Sequence, residues 1–249
     1  MGYDPALHGL LKRAEETHPW FRARAGLVAH LLRKLAKTSA SVLDEGCGTG
    51  WSSAAIARSA GSSLVVGTDI TLAEAASARP RGVVLVRSDI TAPPFREYFD
   101  ALLILDVLEH FGDDRGVLVS ASQALAPDGL LIVTVPAMPS LWSRYDTACG
   151  HFKRYTRRSL LNLLGDSGFE AVFCSHFMMA PVPFLAVSRN LHGAGRNVSI
   201  DEREFRPGRF VSSVLGAYLC VEAGLLRAGF RFPAGSSLVA AARRRTCSC

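Results

Sequence analysis

The sequence predicts an α/β fold built on a doubly wound sheet of seven strands. Five short apolar segments that suit buried strands alternate with segments of helical periodicity, and two further strand segments lie near the C-terminus. A glycine-rich turn joins the first of these strands to the helix that follows it. At 249 residues the chain is long enough to bury a sizeable core, so we expect a single domain over 1–249.

The glycine-rich turn is the string VLDEGCGTG at 42–50. Its three glycines, Gly46, Gly48 and Gly50, permit a sharp turn and the close approach of a ligand to the backbone. A strand that enters a helix in this way places backbone N–H groups and the positive end of the helix beside the ligand. The dinucleotide pattern GxGxxG needs a further glycine where this sequence has Trp51, so a dinucleotide cofactor is disfavoured.

Two strings resemble those of a known enzyme family. The string at 42–50 resembles motif I of the class I methyltransferases that depend on S-adenosyl-L-methionine (SAM), although Glu45 stands where that family usually has an aliphatic residue. The string DVLEH at 106–110 resembles the segment after strand four in small-molecule methyltransferases related to ubiquinone-pathway O-methyltransferases. The resemblance implies a Rossmann-like sheet with helices on both faces and an antiparallel last strand. It also implies SAM as the cofactor, contacted by Asp44, Gly46, Cys47, Gly48 and Gly50.

Two helices, at 5–16 and 20–36, are predicted before the first strand because apolar residues repeat there at helical spacing. The resemblance implies that 1–38 forms a helical cover over the cofactor. It also implies that an arginine of this cover, Arg24 or Arg22, meets the methionine carboxylate. A surface arginine on an amphipathic helix is the simpler alternative.

Acidic residues follow the second and third strands of the predicted SAM-binding core, which covers 39–178. The second strand, 64–67, is followed by Asp69, at a distance from the glycine turn that suits an acidic residue binding ribose hydroxyls. The third strand, 83–86, is followed by Asp89, and the resemblance implies that Asp89 faces the adenine amine. Both aspartates are also common turn residues. The aliphatic residues predicted beside the cofactor are Ile70, Ile90 and Leu105.

The C-terminal half is predicted to add a loop and an insertion to this core. A tight turn precedes the fifth strand, 130–135. The following loop, 136–154, is rich in aromatic residues and lies at the carboxyl end of a strand, where ligands bind in open α/β sheets. After a sixth strand, 169–177, a helical insertion at 180–235 precedes the last strand and tail, 236–249. This insertion is a substrate lid, a dimer surface, a membrane-surface contact or a simple packing element. The apolar face of its second helix is predicted to carry Val211, Val214, Tyr218, Val221 and Leu225.

Candidate catalytic residues follow from what methyl transfer requires of a protein. The enzyme aligns a nucleophile with the methyl carbon, excludes water and, for a hydroxyl acceptor, removes a proton. His110 follows the fourth strand and His151 lies in the aromatic loop, so one of them is predicted to be the general base, with His151 preferred. No metal is expected. Asp106, Glu109 and Asp146 are lesser candidates for the base. The residues predicted to contact the substrate are Asp106, Trp142, Tyr145, Asp146 and Tyr155.

A small-molecule acceptor is favoured over nucleic acid. The PPF string at 93–95 lacks the leading Asp or Asn of the motif in amino-methyltransferases that act on bases, and it precedes strand four instead of following it. One basic cluster in a chain of net charge +6 is a weak nucleic-acid footprint. The alternatives are a SAM-binding protein without methyl transfer, such as a sensor or a cyclase, and a methyltransferase that acts on tRNA or other nucleic acid. The sequence also leaves open whether the protein forms a homodimer.

The sequence predicts a soluble, cytoplasmic protein. No apolar segment follows Met1, and no apolar run reaches the ~20 residues of a membrane span. The insertion at 180–235 could still contact a membrane surface. Six cysteines without the spacing of a disulfide framework are predicted to be free thiols.

Overall fold

The computed structural model describes residues 14–15, 17–72, 82–179 and 208–245. Its strands are β1 (Ser41–Glu45), β2 (Leu64–Asp69), β3 (Val84–Arg87), β4 (Phe99–Leu105), β5 (Leu125–Pro136), β6 (Phe169–Phe177) and β7 (Ser237–Arg244). Its α-helices are α1 (Pro19–Leu35), α2 (Trp51–Ala60), α3 (Asp114–Ser122), α4 (Arg144–Ala148), α5 (Arg157–Asp166) and α6 (Arg209–Arg227). Short 3-10 turns lie at Leu108–His110 and Pro139–Leu141.

The strands form a seven-stranded sheet with the order β3-β2-β1-β4-β5-β7-β6. Strands β1 to β5 pair in parallel, and β7 runs antiparallel to both β5 and β6. This arrangement confirms the predicted fold class, including the antiparallel last strand. The strand order reverses between β1 and β4, and ligands bind at such a reversal, outside the carboxyl ends of the strands. The glycine turn after β1 and the DVLEH segment after β4 therefore open at the same crevice.

Two apolar layers cover the two faces of the sheet, because successive residues of a strand point to opposite faces. In β1, Val42 packs into the layer formed with α1, α2 and α6, and Leu43 packs into the layer formed with α3 and α5. Both side chains are fully buried. The centre of the sheet is thus covered on both sides, as expected for a parallel sheet, and this rigid frame holds the crevice.

Several predicted boundaries need correction. The fifth strand begins at Leu125, which pairs with Phe99, so the predicted tight turn belongs to the strand itself. Asp128, with a φ of 59°, is an irregularity within that strand. The third strand begins and ends one residue later than predicted, and the last strand begins one residue later, at Ser237. The aromatic loop at 136–154 is not structureless, since it contains a 3-10 turn and α4.

Some predictions lie outside the described residues. The helix predicted at 5–16 does so almost entirely, and so do the first part of the insertion, 180–207, and the chain end, 246–249.

Most of the predicted apolar face of α6 is exposed in this structure. The buried side of the helix instead carries Leu219, Ala223 and Leu226, on the side that packs against α1. Helix α6 is therefore apolar on more than one side. The exposed members are Val211 (55%), Val214 (55%), Val221 (63%) and Leu225 (44%).

The same helix bears on the expectation that no segment could cross a membrane. Judged by length and apolar composition alone, the segment Phe210–Arg227 of α6 would suffice for a span, and only 22% of it is buried. A single helix of this kind is weak support for a span, since the core helices of soluble proteins meet the same criteria. The expectation that no apolar segment is long enough to span a membrane is therefore corrected for α6.

Candidate active site

The glycine turn is held to the end of β2 by backbone hydrogen bonds. The N–H of Gly46 donates to the carbonyl of Thr68 at 2.8 Å. Gly46, Gly48 and Gly50 have φ values of 75°, 56° and 76°, in the left-handed region that favours glycine. A Cβ on Gly46 would stand 2.5 Å from Cγ2 of Val107, so this glycine also lets the segment after β4 approach the turn.

Asp69 fastens the turn from the carboxyl end of β2. Its Oδ2 accepts a hydrogen bond from the N–H of Gly48 at 3.0 Å. Its Oδ1 accepts from the N–H and the Oγ1 of Thr71, at 2.8 and 2.7 Å. Because a carboxylate offers about four acceptor sites, these three bonds leave one site, on Oδ2, for a ribose hydroxyl. The ribose role of Asp69 stays a prediction.

Asp44 and Cys47 are buried beside the turn. Asp44 is 2% exposed, and its Oδ2 accepts from Oγ of Ser53 in α2 at 2.6 Å. Burial raises the pKa of Asp44 to about 7. The Cys47 side chain packs against Gly67, where an added Cβ would lie 2.9 Å from Sγ. These contacts join β1, the turn and α2, and they leave the predicted cofactor contacts of both residues untested.

The residues predicted around the adenine differ in exposure. Asp89 Oδ1 accepts from the N–H and Oγ1 of Thr91 at 2.8 and 2.7 Å, so Asp89 does make the turn that its residue type suggests. Ile90 and Leu105 are each 7% exposed, whereas Ile70 is 57% exposed. Of these aliphatic residues, only Ile70 offers a largely open face in this structure.

Arg24 is buried in α1 and reaches the segment after β4. Its Nη1 forms an ion pair with Asp106, and its Nη2 donates to Oγ of Ser52 at 3.0 Å. The guanidinium lies over the rings of Trp20 and Phe21, 4.7 and 5.3 Å from their centroids. Arg24 Nε is buried and has no acceptor among the described residues. It is therefore a donor with an unmet hydrogen bond at the crevice.

The ion pair joins two residues that the sequence assigned to different ligands, Arg24 to the cofactor and Asp106 to the substrate. Asp106 also accepts from Oγ1 of Thr134 at 3.0 Å. Asp106 is therefore held between Arg24 and Thr134, and its predicted contact with the substrate stays a prediction. Arg22, the other arginine considered for the methionine carboxylate, is exposed.

Asp146 and His151 form a hydrogen-bonded pair within the aromatic loop. His151 Nδ1 lies 2.9 Å from Asp146 Oδ1, and Arg154 Nε donates to the same oxygen at 2.8 Å. Asp146 Oδ2 accepts from the N–H and Oγ of Ser143 at 2.8 and 3.0 Å. Burial alone would raise the pKa of Asp146, but its bonds to His151, Arg154 and Ser143 lower it to about 2. An ionised Asp146 keeps the proton of neutral His151 on Nδ1 and its lone pair on Nε2.

His110 and Glu109 complete a cluster with His151. The rings of His110 and His151 meet edge to face, with centroids 4.9 Å apart. Burial first, and then His151, lower the pKa of His110 to about 4, so it is neutral at pH 7. Glu109 is 1% exposed, and burial and the nearby Asp106 raise its pKa. The N–H of Phe152 donates to the carbonyl of Glu109 at 2.7 Å, which joins the loop to the segment after β4.

The aromatic residues predicted to contact substrate separate into two groups. Tyr155 is 2% exposed, and its hydroxyl donates to Oδ2 of Asp114 at 2.8 Å, so it supports the loop from the core and does not line an open site. The ring of Tyr145 lies 6.3 Å from that of His151, and Trp142 is 40% exposed. Trp142 and Tyr145 therefore remain the aromatic candidates for substrate contact.

The glycine turn and the histidine cluster both fall within residues 20–172, which match the family described as a methyltransferase domain. The chain belongs to the class I SAM-dependent methyltransferases. SAM is accordingly the cofactor of this methyltransferase. The resemblance drawn from the two sequence strings is thereby confirmed at the level of the family.

Curated relatives share part of this methyltransferase. It is 33% identical over 106 residues to the ubiquinone biosynthesis O-methyltransferase of Histophilus somni. That match covers 38% of this chain and 44% of the relative. It is 26% identical over 162 residues to a Mycobacterium tuberculosis protein named as a SAM-dependent methyltransferase. This second match covers 64% of this chain and 58% of the relative. The matches thus span about half the length of these relatives.

A solved structure shows the same fold over nearly the whole methyltransferase. It is the methyltransferase in complex with the Haloferax volcanii Trm112 methyltransferase activator, with a TM-score of 0.62 and 15% identity. The similarity covers 94% of this chain and 93% of that one. At this identity it supports the fold alone.

The residues of this methyltransferase fit SAM. Gly48 and Gly50 keep side chains out of the turn, and Asp69 keeps an acceptor site on Oδ2 for a ribose hydroxyl. The unmet donor of Arg24 suits the methionine carboxylate.

Three residues of the site were missed or undervalued from the sequence. Arg154 was not assigned a role, although it belongs to the GHxxRY string that contains His151. Glu109 was considered only as a lesser base, and its burial beside two histidines could not be foreseen. Nothing in the sequence singles out Ser52, which positions Arg24.

Replacing Asp69 by Ala should weaken SAM binding by about 1.5–3 kcal/mol, the range for a hydrogen bond to a charged group. Asp69→Asn, which keeps an acceptor for the N–H of Gly48, should lose less affinity. Calorimetric titration with SAM measures both. Unchanged affinity in a folded Asp69→Ala variant would remove Asp69 from the ribose site.

Proposed function

We propose that this protein transfers the methyl group of SAM to a hydroxyl group of a small molecule. The observation that carries the proposal is the placement of His151, held by Asp146, against His110 at the crevice that also contains the glycine turn. Two imidazoles beside a cofactor site suit the activation of a weakly acidic acceptor. An amine acceptor would need no such group once it is deprotonated.

Bound SAM supplies an electrophilic methyl carbon and a good leaving group, so the protein itself has only to bind, align and deprotonate. The turn, Asp69 and Arg24 hold the cofactor in this proposal. Trp142 and Tyr145 hold the acceptor and exclude water. His151, with its Nε2 lone pair facing away from Asp146, and the adjacent His110 activate the hydroxyl.

Methyl transfer from isotope-labelled SAM to a panel of acceptors tests the proposal. The panel pairs each phenol or alcohol with the amine of the same shape. We expect S-adenosylhomocysteine to accumulate with hydroxyl acceptors and the label to appear on oxygen. Label found on nitrogen across the panel would overturn the hydroxyl assignment while leaving the methyltransferase assignment intact.

A helical cover of the crevice from both chain ends is also part of the proposal. Glu15 accepts a hydrogen bond from Oγ1 of Thr49 in the glycine turn. Glu222 of α6 accepts from the N–H groups of Met178 and Met179, which follow β6 at the carboxyl edge of the sheet. These contacts support a division into the cover at 1–38, the core at 39–178, the insertion at 180–235 and the last strand with its tail at 236–249.

Hydrogen exchange in α6 should slow when SAM and acceptor are bound together, because closure over the crevice protects a cover helix. Helix α5, on the opposite face of the sheet, serves as the internal control and should not change. Equal exchange of α6 in the free and ternary states would leave packing or dimerisation as the role of this helix.

The proposal places the enzyme in the cytoplasm, acting on a small molecule and not on nucleic acid. Three buried cysteines, Cys47, Cys149 and Cys174, are free thiols, which suits a reducing compartment. Whether α6 also joins two copies of the chain is tested by sedimentation of the wild type against Val221→Glu, which places a charge on the exposed face.

A further inference from the structure

One polar cluster of the crevice contains more ligand atoms than a general base needs. Glu109, His110 and His151 each offer one atom able to bind a metal ion, and these atoms all lie within 4.8 Å of one another. Two atoms that bind one ion at about 2.1 Å can be at most about 4.2 Å apart, so small side-chain rotations would bring all three onto a single cation.

The Glu109 carboxylate provides a second, independent observation that favours a bound cation. Its side chain is 1% exposed, and its Oε2 has no hydrogen-bond partner among the described residues. A buried carboxylate oxygen without a donor is costly unless a proton or a cation satisfies it. The imidazoles of His110 and His151 supply nitrogen ligands beside this carboxylate, which is a chemical environment that a divalent cation satisfies.

The bonds around the two histidines are those found around metal ligands. A ligand histidine commonly donates its second ring N–H to a carboxylate or a backbone carbonyl, which fixes the orientation of the ring. His151 has such a partner in Asp146, which Arg154 and Ser143 hold in turn. The ring of His110 makes backbone hydrogen bonds at Cys149 and Gly150.

We propose that Glu109, His110 and His151 form a binding site for one divalent transition-metal cation, which also binds the acceptor hydroxyl. Two imidazoles and one carboxylate suit Zn²⁺ and related ions, whereas Mg²⁺ and Ca²⁺ prefer oxygen ligands throughout. Three protein ligands leave a coordination position open, as in catalytic zinc sites. This inference rests on the proposed function only for the identity of the ligand in that open position.

The cation gives the two histidines one joint role. A hydroxyl oxygen bound to a divalent cation becomes more acidic, so its O–H bond ionises near neutral pH and the proton passes to water. The oxygen keeps the electron pair and is held at the carboxyl edge of β4. With the cation bound, His151 acts as a ligand in place of a general base, and no protein side chain has to accept the proton.

Binding of Zn²⁺ or Co²⁺ to the metal-free protein tests the site without reference to activity. The working protein carries Cys247→Ser and Cys249→Ser, because the C-x-C string at the chain end could bind the same ions. We expect one equivalent of Zn²⁺ by calorimetry and a Co²⁺ absorption spectrum typical of nitrogen and oxygen ligands. Failure of this protein to bind either ion stoichiometrically would overturn the proposal.

Substitutions locate the cation. Asp146→Asn, which removes the charge that orients His151, should weaken binding by about 10–100-fold. Glu109→Gln and His151→Ala should weaken it by at least that factor, while His30→Ala on α1 should leave it unchanged. Retained SAM binding shows which variants are folded. Folded variants of the cluster that bind Zn²⁺ as tightly as His30→Ala would contradict the assignment.

Failure of this inference and failure of the proposed function give different results. Methyl transfer at full rate by the metal-free protein would overturn the cation site and leave the proposed function standing. Stoichiometric Zn²⁺ binding that the cluster variants lose, with no transfer to any hydroxyl acceptor, would support the site and refute the function.

Discussion

The His151→Ala variant is expected to bind SAM normally and to turn over ~10²–10⁴-fold more slowly than the wild type. The imidazole lies in the aromatic loop, bonded through Nδ1 to Asp146 and packed against His110, and it makes no hydrogen bond to the glycine turn. Its loss should therefore slow activation of the acceptor and spare the cofactor site. Initial rates with labelled SAM and calorimetric SAM titrations measure the two effects separately.

Two comparisons sharpen this test. His30→Ala, which removes an imidazole of α1 outside this cluster, should keep the wild-type rate. The rate of His151→Ala should rise toward high pH more steeply than that of the wild type, because the acceptor hydroxyl then loses its own proton. Wild-type turnover in His151→Ala would transfer the role to His110. If His110→Ala were also fully active, the acceptor would attack SAM without help from either histidine.

Replacing Arg24 by Met should destabilise the protein by about 3 kcal/mol, the low end of the range for breaking a buried ion pair. The side chain of Asp106 is 20% exposed, so water partly compensates its charge, which is why the low end applies. The variant also removes the buried Nε donor, so SAM affinity should fall as well. Denaturant unfolding with and without SAM measures both changes.

Arg22→Met is the matched control, because Arg22 lies on the same helix and is exposed. Its free energy of unfolding should stay within about 0.5 kcal/mol of the wild type. The double variant Arg24→Met/Asp106→Asn should recover part of the lost stability, since it removes the charge left without a partner. Equal stability of Arg24→Met and Arg22→Met would mean that the ion pair contributes nothing to folding.

The backbone of the site was predictable from the sequence because it depends on local patterns. Glycines at alternate positions after an apolar strand determine the turn, and Asp69 follows the second strand at the distance that nucleotide folds require. Strand alternation with helices likewise predicted the sheet. Each of these signals lies within a short stretch of chain, where residue type alone limits the backbone.

The side-chain pairs of the site were not predictable, because each joins segments far apart in the sequence. Arg24 meets Asp106 only because α1 packs beside the carboxyl end of β4. Glu109 is buried beside His151 only because the aromatic loop folds back, with Phe152 bonded to the Glu109 carbonyl. Residue type suggested that His110 and His151 matter, and only tertiary packing shows that they touch.

The apolar stripe of α6 shows a different limit. Helical periodicity identified the helix, but both sides of it are apolar, so periodicity could not decide which side packs against α1. In the segment 136–154, residues typical of turns predicted an irregular loop, but the structure contains a 3-10 turn and α4 there. Which side of a helix is buried, and whether a loop contains short helices, depends on the surfaces that pack against it and not on residue spacing alone.

A crystal structure of the complex with SAM and an unreactive analogue of the acceptor tests the central claim most directly. We expect the ribose on Asp69, the methionine carboxylate near Arg24 and the methyl group directed toward the cluster of Glu109, His110 and His151. The acceptor oxygen should then lie between the methyl carbon and that cluster. A methyl group directed away from both histidines would contradict the account.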